Sequence, residues 1–294
     1  MHICIIGPGS IGLFLAAHLA QHEQVTLVGR SFTAATKQCV RVVGLLECQA
    51  EVDINPNIVD ADLIMVTTKA IHLDAVIPLL KNCRSPVVFW QNGLGINYLA
   101  KTQLPGVPLI RAFSWMGVVG EGPYTVHCNG FSHLALGLLQ GDDTSLHTLQ
   151  SSLLNAGLKT EVADDVDYAE WEKSLLNVGV NGLCAITGER NGVVVESSHL
   201  HEMLVQLVRE AQAVARVVGY NVDLEESIIR LTRATAANVN SMLQDIRAGR
   251  MTEIDYLNGY VMRLGEQVGV STPYNTAVYH LVKHIEMRRL DEIS

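Results

Sequence analysis

The N-terminal stretch constrains the fold of this chain more than any other part of the sequence. Residues 3–6 form an apolar run that is short enough to be a buried strand, and three glycines follow at the G-x-G-x-x-G spacing, Gly7, Gly9 and Gly12. From Ile11 to Leu19 the pattern becomes helical and rich in small residues. Strand, glycine turn and helix in this order predict a loop that binds the diphosphate of a dinucleotide, and an ordinary strand-to-helix turn is the alternative.

Each part of this loop has a physical reason to be there. The first glycine permits a tight turn, the second lets the backbone approach a pyrophosphate, and the third lets helix and strand pack closely. Free amides at the start of the helix, with the helix dipole behind them, attract the negative charge of a diphosphate. The predicted cofactor-binding residues of the loop are Gly7, Pro8, Gly9, Ser10, Ile11 and Gly12.

Composition argues against several classes of function. The 294 residues suffice for one large domain or two ordinary ones, and 48% of them are hydrophobic, so a substantial core can form. A net charge of −9 without any basic run argues against a nucleic-acid partner or an anionic membrane surface. The longest apolar runs are too short to span a membrane, and the N-terminal stretch lacks the pattern of a signal peptide.

Six scattered cysteines contain no C-x-x-C pair, which favours reduced thiols over a disulfide framework or a zinc site. We therefore expect a cytoplasmic protein that binds no metal, no nucleic acid and no membrane. A homodimer stays open, because one apolar helix face looks like another in the sequence.

The end of the second predicted strand, residues 25–28, bears on the choice of cofactor. The strand ends at Gly29-Arg30-Ser31, without the acidic residue that would hydrogen-bond the adenosine ribose of NAD. The guanidinium of Arg30 can instead hold a 2′-phosphate through two hydrogen bonds, so the pattern predicts NADPH as the cofactor. A solvated surface arginine is the alternative.

Two further strands bring polar residues to the carboxyl edge of the same sheet, where ligands of open α/β sheets bind. The strand at 62–67 delivers Lys69, which we predict to contact the cofactor. The strand at 87–90 delivers Asn92, a candidate ligand contact, with Gly93 and Gly95 close behind it. These glycines indicate either backbone that lies close to a ligand or a plain turn.

The remaining strands of the first half complete a doubly wound sheet. Residues 40–54 resemble a short antiparallel excursion, and a helix is predicted at 145–154. The other predicted strands lie at 109–113, 125–127, 133–136 and 160–162. We predict that two of them, 125–127 and 133–136, form a hairpin around Asn129-Gly130.

The acidic stretch 164–167 is the predicted hinge, since strand patterns nearly vanish beyond it. Helices are predicted at 168–186, 198–218, 224–248, 252–268 and 274–289. The predicted fold is an α/β dinucleotide-binding domain, residues 1–166, followed by an all-α domain, residues 167–294.

The first helix of the second half carries a polar stripe on an otherwise apolar surface. Lys173, Asn177 and Asn181 are each four residues apart and therefore share one face. Buried polar groups cost roughly 1–3 kcal/mol each unless they have partners, and a cleft that holds a polar ligand would supply them. A solvent-facing stripe is the alternative.

Two other polar groupings follow later in the helical half. Asn238 and Ser241 are three residues apart, and Glu253 stands at a predicted helix start. An acid in a first turn complements the helix dipole, so Glu253 has a structural explanation beside a catalytic one.

Several motifs occur in a fixed order along the chain. They are the Gly7–Gly12 loop, Arg30, Thr68-Lys69-Ala70, Gln91-Asn92-Gly93-Leu94-Gly95, Trp171-Glu172-Lys173 with Asn177 and Asn181, Asn238 to Ile246, and Thr252-Glu253-Ile254-Asp255-Tyr256 with Asn258-Gly259. In these motifs, over essentially its whole length, the sequence resembles the ketopantoate reductase (2-dehydropantoate 2-reductase) family. The resemblance implies a Rossmann domain and an all-helical domain with the active site in the cleft between them.

The resemblance also implies a reaction and a role for each site residue. The reaction is NADPH-dependent reduction of a 2-keto acid, with 2-dehydropantoate converted to pantoate in pantothenate and coenzyme A biosynthesis. Lys173 is implied as the general acid, Glu253 as the group that orients Lys173 or the substrate hydroxyl, and Ser241 as the contact of the substrate carboxylate. The implied contacts of the remaining substrate oxygens are Asn92, Asn177, Asn181 and Asn238.

The chain departs from the family pattern at Ala112, which takes the place of a common glycine, and in the bulky segment Ser114-Trp115-Met116-Gly117. If this segment lines the cleft, the departure affects the substrate more than the reaction. Two other functions stay open, a reductase of another 2-keto or hydroxy acid and a non-catalytic NADP-binding sensor. The presence of both Lys173 and Glu253 argues against the sensor.

Overall fold

The structure, a computed structural model, describes residues 1–291 and the side chains of residues 1–288. The chain divides into two compact units. Unit 1 contains Met1–Gln91 and Ile96–Val166, and unit 2 contains Asn92–Gly95 and the chain from Asp167 onward. The backbone thus leaves unit 1 for a short segment directly after its sixth strand. We assign cofactor binding to residues 1–166 and substrate binding to residues 167–294, and this assignment stays a prediction.

Unit 1 is built on one mostly parallel sheet. Its strands are β1 His2–Ile6, β2 Gln24–Val28, β3 Thr36–Gly44, β4 Cys48–Asn55, β5 Leu63–Val66, β6 Val87–Phe89, β7 Leu109–Gly122, β8 Thr125–Gln140 and β9 Thr160–Val162. Their order across the sheet is β3-β4-β2-β1-β5-β6-β7-β8-β9. The helices of this unit are α1 Ser10–Leu19, α2 Leu73–Leu80, α3 Ile96–Gln103 and α4 Thr144–Asn155.

The central strands are parallel, and their sequences explain why. Ile3 of β1 pairs with Val25 of β2 on one side and with Leu63 of β5 on the other, and all three side chains are buried. A parallel strand that is covered on both faces reads as a nearly continuous apolar run, as β1 and β5 do. The α/β class predicted for the first half is confirmed.

The predicted hairpin around Asn129-Gly130 is wrong. Residues 125–140 form one strand, β8, which runs antiparallel to β7, and the turn between these strands contains Tyr124 at φ +58°. The ladder passes from Gly117–Gly130 to Val118–Cys128, so Asn129 is the extra residue of a β-bulge. An Asn-Gly pair makes a hairpin turn only when its flanking runs pair with each other, and here both pair with β7.

Unit 2 is helical, as predicted. Its helices are α5 Val166–Thr187, α6 Val193–Glu196, α7 Ser198–Val217, α8 Glu225–Ala234, α9 Ser241–Arg247, α10 Asn258–Val268 and α11 Pro273–Asp291, with a 3-10 turn at Ile254–Tyr256. The first residue of α5 is the last residue of unit 1 and lies inside the acidic stretch that we predicted as a hinge.

Two predicted helices of this half have the wrong bounds. The helix predicted at 224–248 is two helices, α8 and α9, because the side chain of Asn240 accepts a hydrogen bond from Leu243 N (3.0 Å) and begins a new helix. The helix predicted at 252–268 begins only at Asn258. Glu253 therefore precedes a 3-10 turn and does not stand at the start of an α-helix.

Arg111 on β7 is fully buried inside unit 1. Its guanidinium donates hydrogen bonds to the carbonyl oxygens of Phe89 (3.0 Å), Ala112 (3.0 Å) and Gln91 (2.7 Å), and to Asn97 Oδ1 (3.0 Å). Buried charges are tolerated only when their hydrogen bonds are satisfied, so these acceptors explain an arginine in the core. Arg111 and Ala112 are thus structural core residues, so the departure from the family pattern at Ala112 lies in the core of unit 1.

We expect Arg111→Met to lower the free energy of unfolding by about 3 kcal/mol or more, because several buried acceptors lose their donor at once. Chemical denaturation followed by circular dichroism measures this loss. Arg84→Met removes an exposed arginine of the same unit and serves as the matched control. Equal stability of the two variants would contradict a structural role for Arg111.

Candidate functional site

The glycine loop of unit 1 connects β1 to α1, and its glycines differ in what surrounds them. Gly7 has φ +119°, and a Cβ there would lie 2.6 Å from Thr68 N. A Cβ on Gly12 would lie 2.0 Å from Gly7 O, whereas a Cβ on Gly9 would meet no heavy atom within 4 Å. Gly7 and Gly12 are therefore required by the loop itself, and Gly9 faces space that the protein does not fill.

The polar groups around this loop fit a phosphate-bearing dinucleotide. Helix α1 begins without a side-chain hydrogen bond at its cap residue, so its first amides can receive an anion. Within the described part of the chain, the buried Thr68 Oγ1 and Gln91 Oε1 have no hydrogen-bond partner. Gln91 Nε2 donates to the carbonyl oxygens of Val66 (2.8 Å) and Thr68 (3.0 Å) and so joins the carboxyl ends of β5 and β6.

Basic side chains gather at the same edge of the sheet. Arg30 is exposed just beyond β2, and Lys69 follows β5. Burial lowers the pKa of His72, and the positive charges of Arg30 and Lys69 lower it further. His72, three residues after Lys69, was not among the predicted site residues.

A pocket in unit 2 brings four of the predicted site residues together. Asn92 comes from the short segment after β6, Asn181 from α5, Ser241 from the first turn of α9, and Glu253 from the residue before the 3-10 turn. The complete lining is Asn92, Asn181, Ser241, Met242, Asp245, Glu253 and Leu257. Polar groups that stand far apart in sequence therefore converge on one small cavity.

Three predicted site residues are not among this lining. Lys173 and Asn177 are half-buried and precede Asn181 by two turns and one turn of α5. Asn238 is exposed in the connection between α8 and α9, and its carbonyl oxygen accepts a hydrogen bond from Asn191 N (3.0 Å). The expected polar stripe on α5 thus runs from Lys173 down to a residue that lines the pocket.

The ionisation of Lys173 is shifted in a direction that suits acid chemistry. Burial lowers the pKa of Lys173 to about 8. A general acid works best when its pKa lies near the operating pH, because it is then protonated and still able to release its proton. Perturbed lysines of this kind are enriched at functional sites.

Asp245 lines the pocket and was missed by sequence reasoning. Its side chain is 5% exposed and forms an ion pair with Arg250 at 3.0 Å. The signal that could have found it is its spacing, since Asp245 follows Ser241 by one turn of α9 and so shares its face. The apolar lining residues Met242 and Leu257 carry no such signal, because they look like ordinary core residues.

The segment Asn92–Gly95 packs against the chain that follows Glu253. Leu94 N donates to Tyr256 O (2.7 Å), and a Cβ on Gly93 would lie 2.6 Å from Tyr256 Cβ. A Cβ on Gly95 would lie 2.2 Å from the ring of Tyr260. These glycines are therefore required by close packing on two tyrosines, which holds Asn92 beside the pocket.

The chain is similar to the proteins of one family along most of its length. Residues 3–141 match the family described as Ketopantoate reductase PanE/ApbA, and residues 165–286 match its C-terminal part. A 2-dehydropantoate 2-reductase of Pyrococcus horikoshii is 31% identical over 96% of this chain and 97% of its own length. The chain belongs to the ketopantoate reductase family.

Other members and solved structures agree with this assignment. A 2-dehydropantoate 2-reductase of Shigella flexneri is 30% identical over 97% of this chain and 95% of its own length. The crystal structure of a PanE/ApbA family ketopantoate reductase from Ralstonia eutropha JMP134 has a TM-score of 0.88 at 25% identity, covering 98% of this chain and 99% of that one. A ternary structure of D-mandelate dehydrogenase with NADH and anilino(oxo)acetate has a TM-score of 0.86 at 25% identity over 98% of this chain and 99% of that one.

The ketopantoate reductase family is an NADP-dependent oxidoreductase family, so the expected class of enzyme and the expected Rossmann-type fold are confirmed. Among the described residues 1–291, no helix combines the length and the apolar character needed to cross a bilayer.

A pair of glycine variants tests the loop of unit 1. We expect Gly9→Ala to keep the Tm of the protein and to weaken NADPH binding by about tenfold or more, because its methyl group would enter the space left for the diphosphate. We expect Gly12→Ala to lower the Tm, because its methyl group would collide with Gly7 O. Calorimetric titration and thermal unfolding measure the two effects, and unchanged NADPH affinity in Gly9→Ala would count against this loop as the cofactor site.

Proposed function

We propose that this chain reduces a 2-keto acid to a 2-hydroxy acid with NADPH, and that the substrate is 2-dehydropantoate, which becomes pantoate on the way to pantothenate and coenzyme A. The observation that carries the proposal is the pocket of unit 2, where Asn92, Asn181, Ser241 and Glu253 converge. The names of the relatives from Pyrococcus horikoshii and Shigella flexneri support the choice of substrate.

The cofactor part of the proposal assigns the diphosphate to the loop Gly7–Gly12 and the 2′-phosphate to Arg30 and Lys69. The guanidinium forms two parallel hydrogen bonds with a phosphate, and the ammonium adds a second positive charge. No acid follows β2 to favour the free ribose hydroxyls of NADH. When bound, NADPH supplies a hydride to the carbonyl carbon of the keto acid.

Lys173 is proposed as the proton donor. With its pKa lowered to about 8, its side chain is mostly an ammonium at neutral pH and can polarise the carbonyl group. As the carbon is reduced, the Lys173 ammonium gives its proton to the carbonyl oxygen, which becomes the hydroxyl group. The neutral amine then regains a proton from solvent before the next turnover.

The remaining polar groups are proposed to bind and orient the substrate. The hydroxyl of Ser241 donates to the substrate carboxylate, and Glu253 accepts from the hydroxyl group or orients Lys173. A carboxylate in this pocket must avoid the charge of Asp245, and the ion pair of Asp245 with Arg250 offsets that charge. Side-chain amides donate hydrogen bonds to the remaining substrate oxygens, and the candidates are Asn92, Asn177, Asn181 and Asn238.

A second candidate substrate is a 2-keto acid with a larger or aromatic side chain. The similarity to D-mandelate dehydrogenase, solved with NADH and anilino(oxo)acetate, favours it. Met242 and Leu257 are the apolar residues of the pocket lining, and the side chain of such a substrate is proposed to lie against them. The chemistry proposed for Lys173 and Glu253 is the same for both substrates.

The test is NADPH oxidation with a panel of 2-keto acids that includes 2-dehydropantoate and phenylglyoxylate. We expect the highest kcat/KM with 2-dehydropantoate and tighter binding of NADPH than of NADH. Arg30→Ala should remove most of that preference, because it removes the group proposed for the 2′-phosphate. Turnover of none of the acids would overturn the reductase proposal, and equal affinity for the two cofactors would overturn the assignment of Arg30.

The pH dependence of kcat tests the role of Lys173. We expect the kcat of reduction to be constant below a pH of about 8 and to fall roughly tenfold per pH unit above it, because the ammonium is then lost. Oxidation of the hydroxy acid needs the neutral amine, so its rate should rise through the same pH range. A flat reduction profile from about pH 7 to about pH 10 would exclude Lys173 as the proton donor.

Substitution of Lys173 provides the companion measurement. Lys173→Ala should lower kcat by about 10²-fold or more and leave NADPH affinity nearly unchanged. Lys81→Ala, at an exposed lysine of unit 1, is the matched control. If Lys173 and Glu253 act as a unit, the double variant should cost far less than the sum of the two single free-energy costs.

A further inference from the structure

The chain segment that carries Glu253 has little regular structure of its own. Between α9 and α10 it forms only the 3-10 turn Ile254–Tyr256, and Glu253 makes no side-chain cap hydrogen bond to that turn. Its neighbours Thr252 and Ile254 are nevertheless 0% exposed. The position of Glu253 must therefore be set by contacts with other elements.

Helix α11 supplies the contact on the N-terminal side of Glu253. Glu286 is 2% exposed, and its Oε1 accepts a hydrogen bond from Thr252 N at 2.7 Å. The hydroxyl of Thr252 in turn accepts from Ile254 N at 3.1 Å. A buried carboxylate on a backbone amide is a strong, charge-assisted hydrogen bond, and it fixes the backbone one residue before Glu253.

Helix α11 also contacts the chain on the C-terminal side of Glu253. Tyr279 Oη donates to Asp255 Oδ1 at 3.0 Å, and Lys283 Nζ donates to Asp255 Oδ2 at 3.1 Å. Lys283 Nζ also lies 2.8 Å from Glu286 Oε2, so one ammonium joins the two acids. Tyr279, Lys283 and Glu286 are spaced four and three residues apart and share one face of α11.

The charges of this group depend on each other. A carboxylate as deeply buried as that of Glu286 is unfavourable unless a cation compensates it, and Lys283 is the cation beside it. Removal of Lys283 would leave Glu286 without that compensation and Asp255 with only its tyrosine and backbone contacts. The contacts of α11 with Thr252 and Asp255, which lie on either side of Glu253, would then be weakened.

From this arrangement we infer that Lys283 and Glu286 are positioning residues of the reaction, which act by holding Glu253 in place from α11. The inference rests on the role proposed for Glu253. Tyr279 contributes through its hydrogen bond to Asp255. None of these three side chains needs to touch the substrate.

Kinetics test the inference with Lys283→Met, and with Lys283→Arg as the conservative variant that keeps the charge. Misplacement of a catalytic group by about 1 Å can cost up to about 10²-fold, so we expect Lys283→Met to lower kcat by about 10- to 100-fold. NADPH affinity should be unchanged, and Lys283→Arg should recover most of the rate. Arg209→Met is the matched control, since it breaks an exposed ion pair with Glu225 in the same unit.

A double-mutant cycle separates positioning from general stability. In the Glu253→Ala background, Lys283→Met should have no further effect on kcat, because the group that it positions is already absent. Equal losses of kcat in the presence and in the absence of Glu253 would overturn the inference. Tyr279→Phe removes a single hydrogen bond, and it replaces Lys283→Met in the cycle should the latter not fold.

Hydrogen exchange provides a readout that does not depend on activity. The amides of Thr252 and Ile254 should exchange on the order of tenfold faster in Lys283→Met than in the unmodified protein, and Arg209→Met should leave them unchanged. Unchanged exchange in Lys283→Met would overturn the inference even if the reductase proposal holds. Faster exchange in a protein that reduces no keto acid would support the anchor and reject only the proposed reaction.

Discussion

The hydrogen bond from Leu94 N to Tyr256 O, 2.7 Å long, joins the two segments on which the pocket of unit 2 depends. One segment is Asn92–Gly95, and the other runs through Glu253 to the 3-10 turn. Close packing of Gly93 on Tyr256 allows the bond to form, since any side chain there would push the two segments apart. Asn92 and Glu253 thus line one cavity because the two irregular segments that carry them are joined by this hydrogen bond.

Burial and an ion pair control the charges in and around this pocket. The pKa of Lys173 is lowered by loss of solvent, whereas the carboxylate of Asp245 is compensated by Arg250. A group whose pKa is lowered by burial responds strongly to a new charge nearby. A bound substrate carboxylate would favour the ammonium form of Lys173, so substrate binding and protonation of the proposed acid support each other.

A feature of the structure could be predicted from the sequence when its signal lies within one helix, strand or loop. The glycine loop, the buried strands and the stripe from Lys173 to Asn181 were predicted because each depends on spacing within one element. The β-bulge at Asn129 and the break before Ser241 were not, because strand pairing and a cap decide them. The anchor at Lys283 depends on contacts between separate elements and could not be predicted, whereas Asp245 lies one turn after Ser241 on α9 and its spacing was a usable signal.

The polar and the apolar residues of the pocket have different proposed roles. This difference explains why the type of reaction is easier to infer than the substrate. Every 2-keto acid presents a carboxylate and a carbonyl group, and the roles proposed for Ser241 and the amide side chains concern those groups. Substrates differ in the part that would meet Met242 and Leu257, where one methylene group changes binding by only about 1–3 kcal/mol. On the proposed function, selectivity among 2-keto acids would depend on the apolar side of the pocket, and changes there would alter the substrate while the chemistry proposed for Lys173 stays the same.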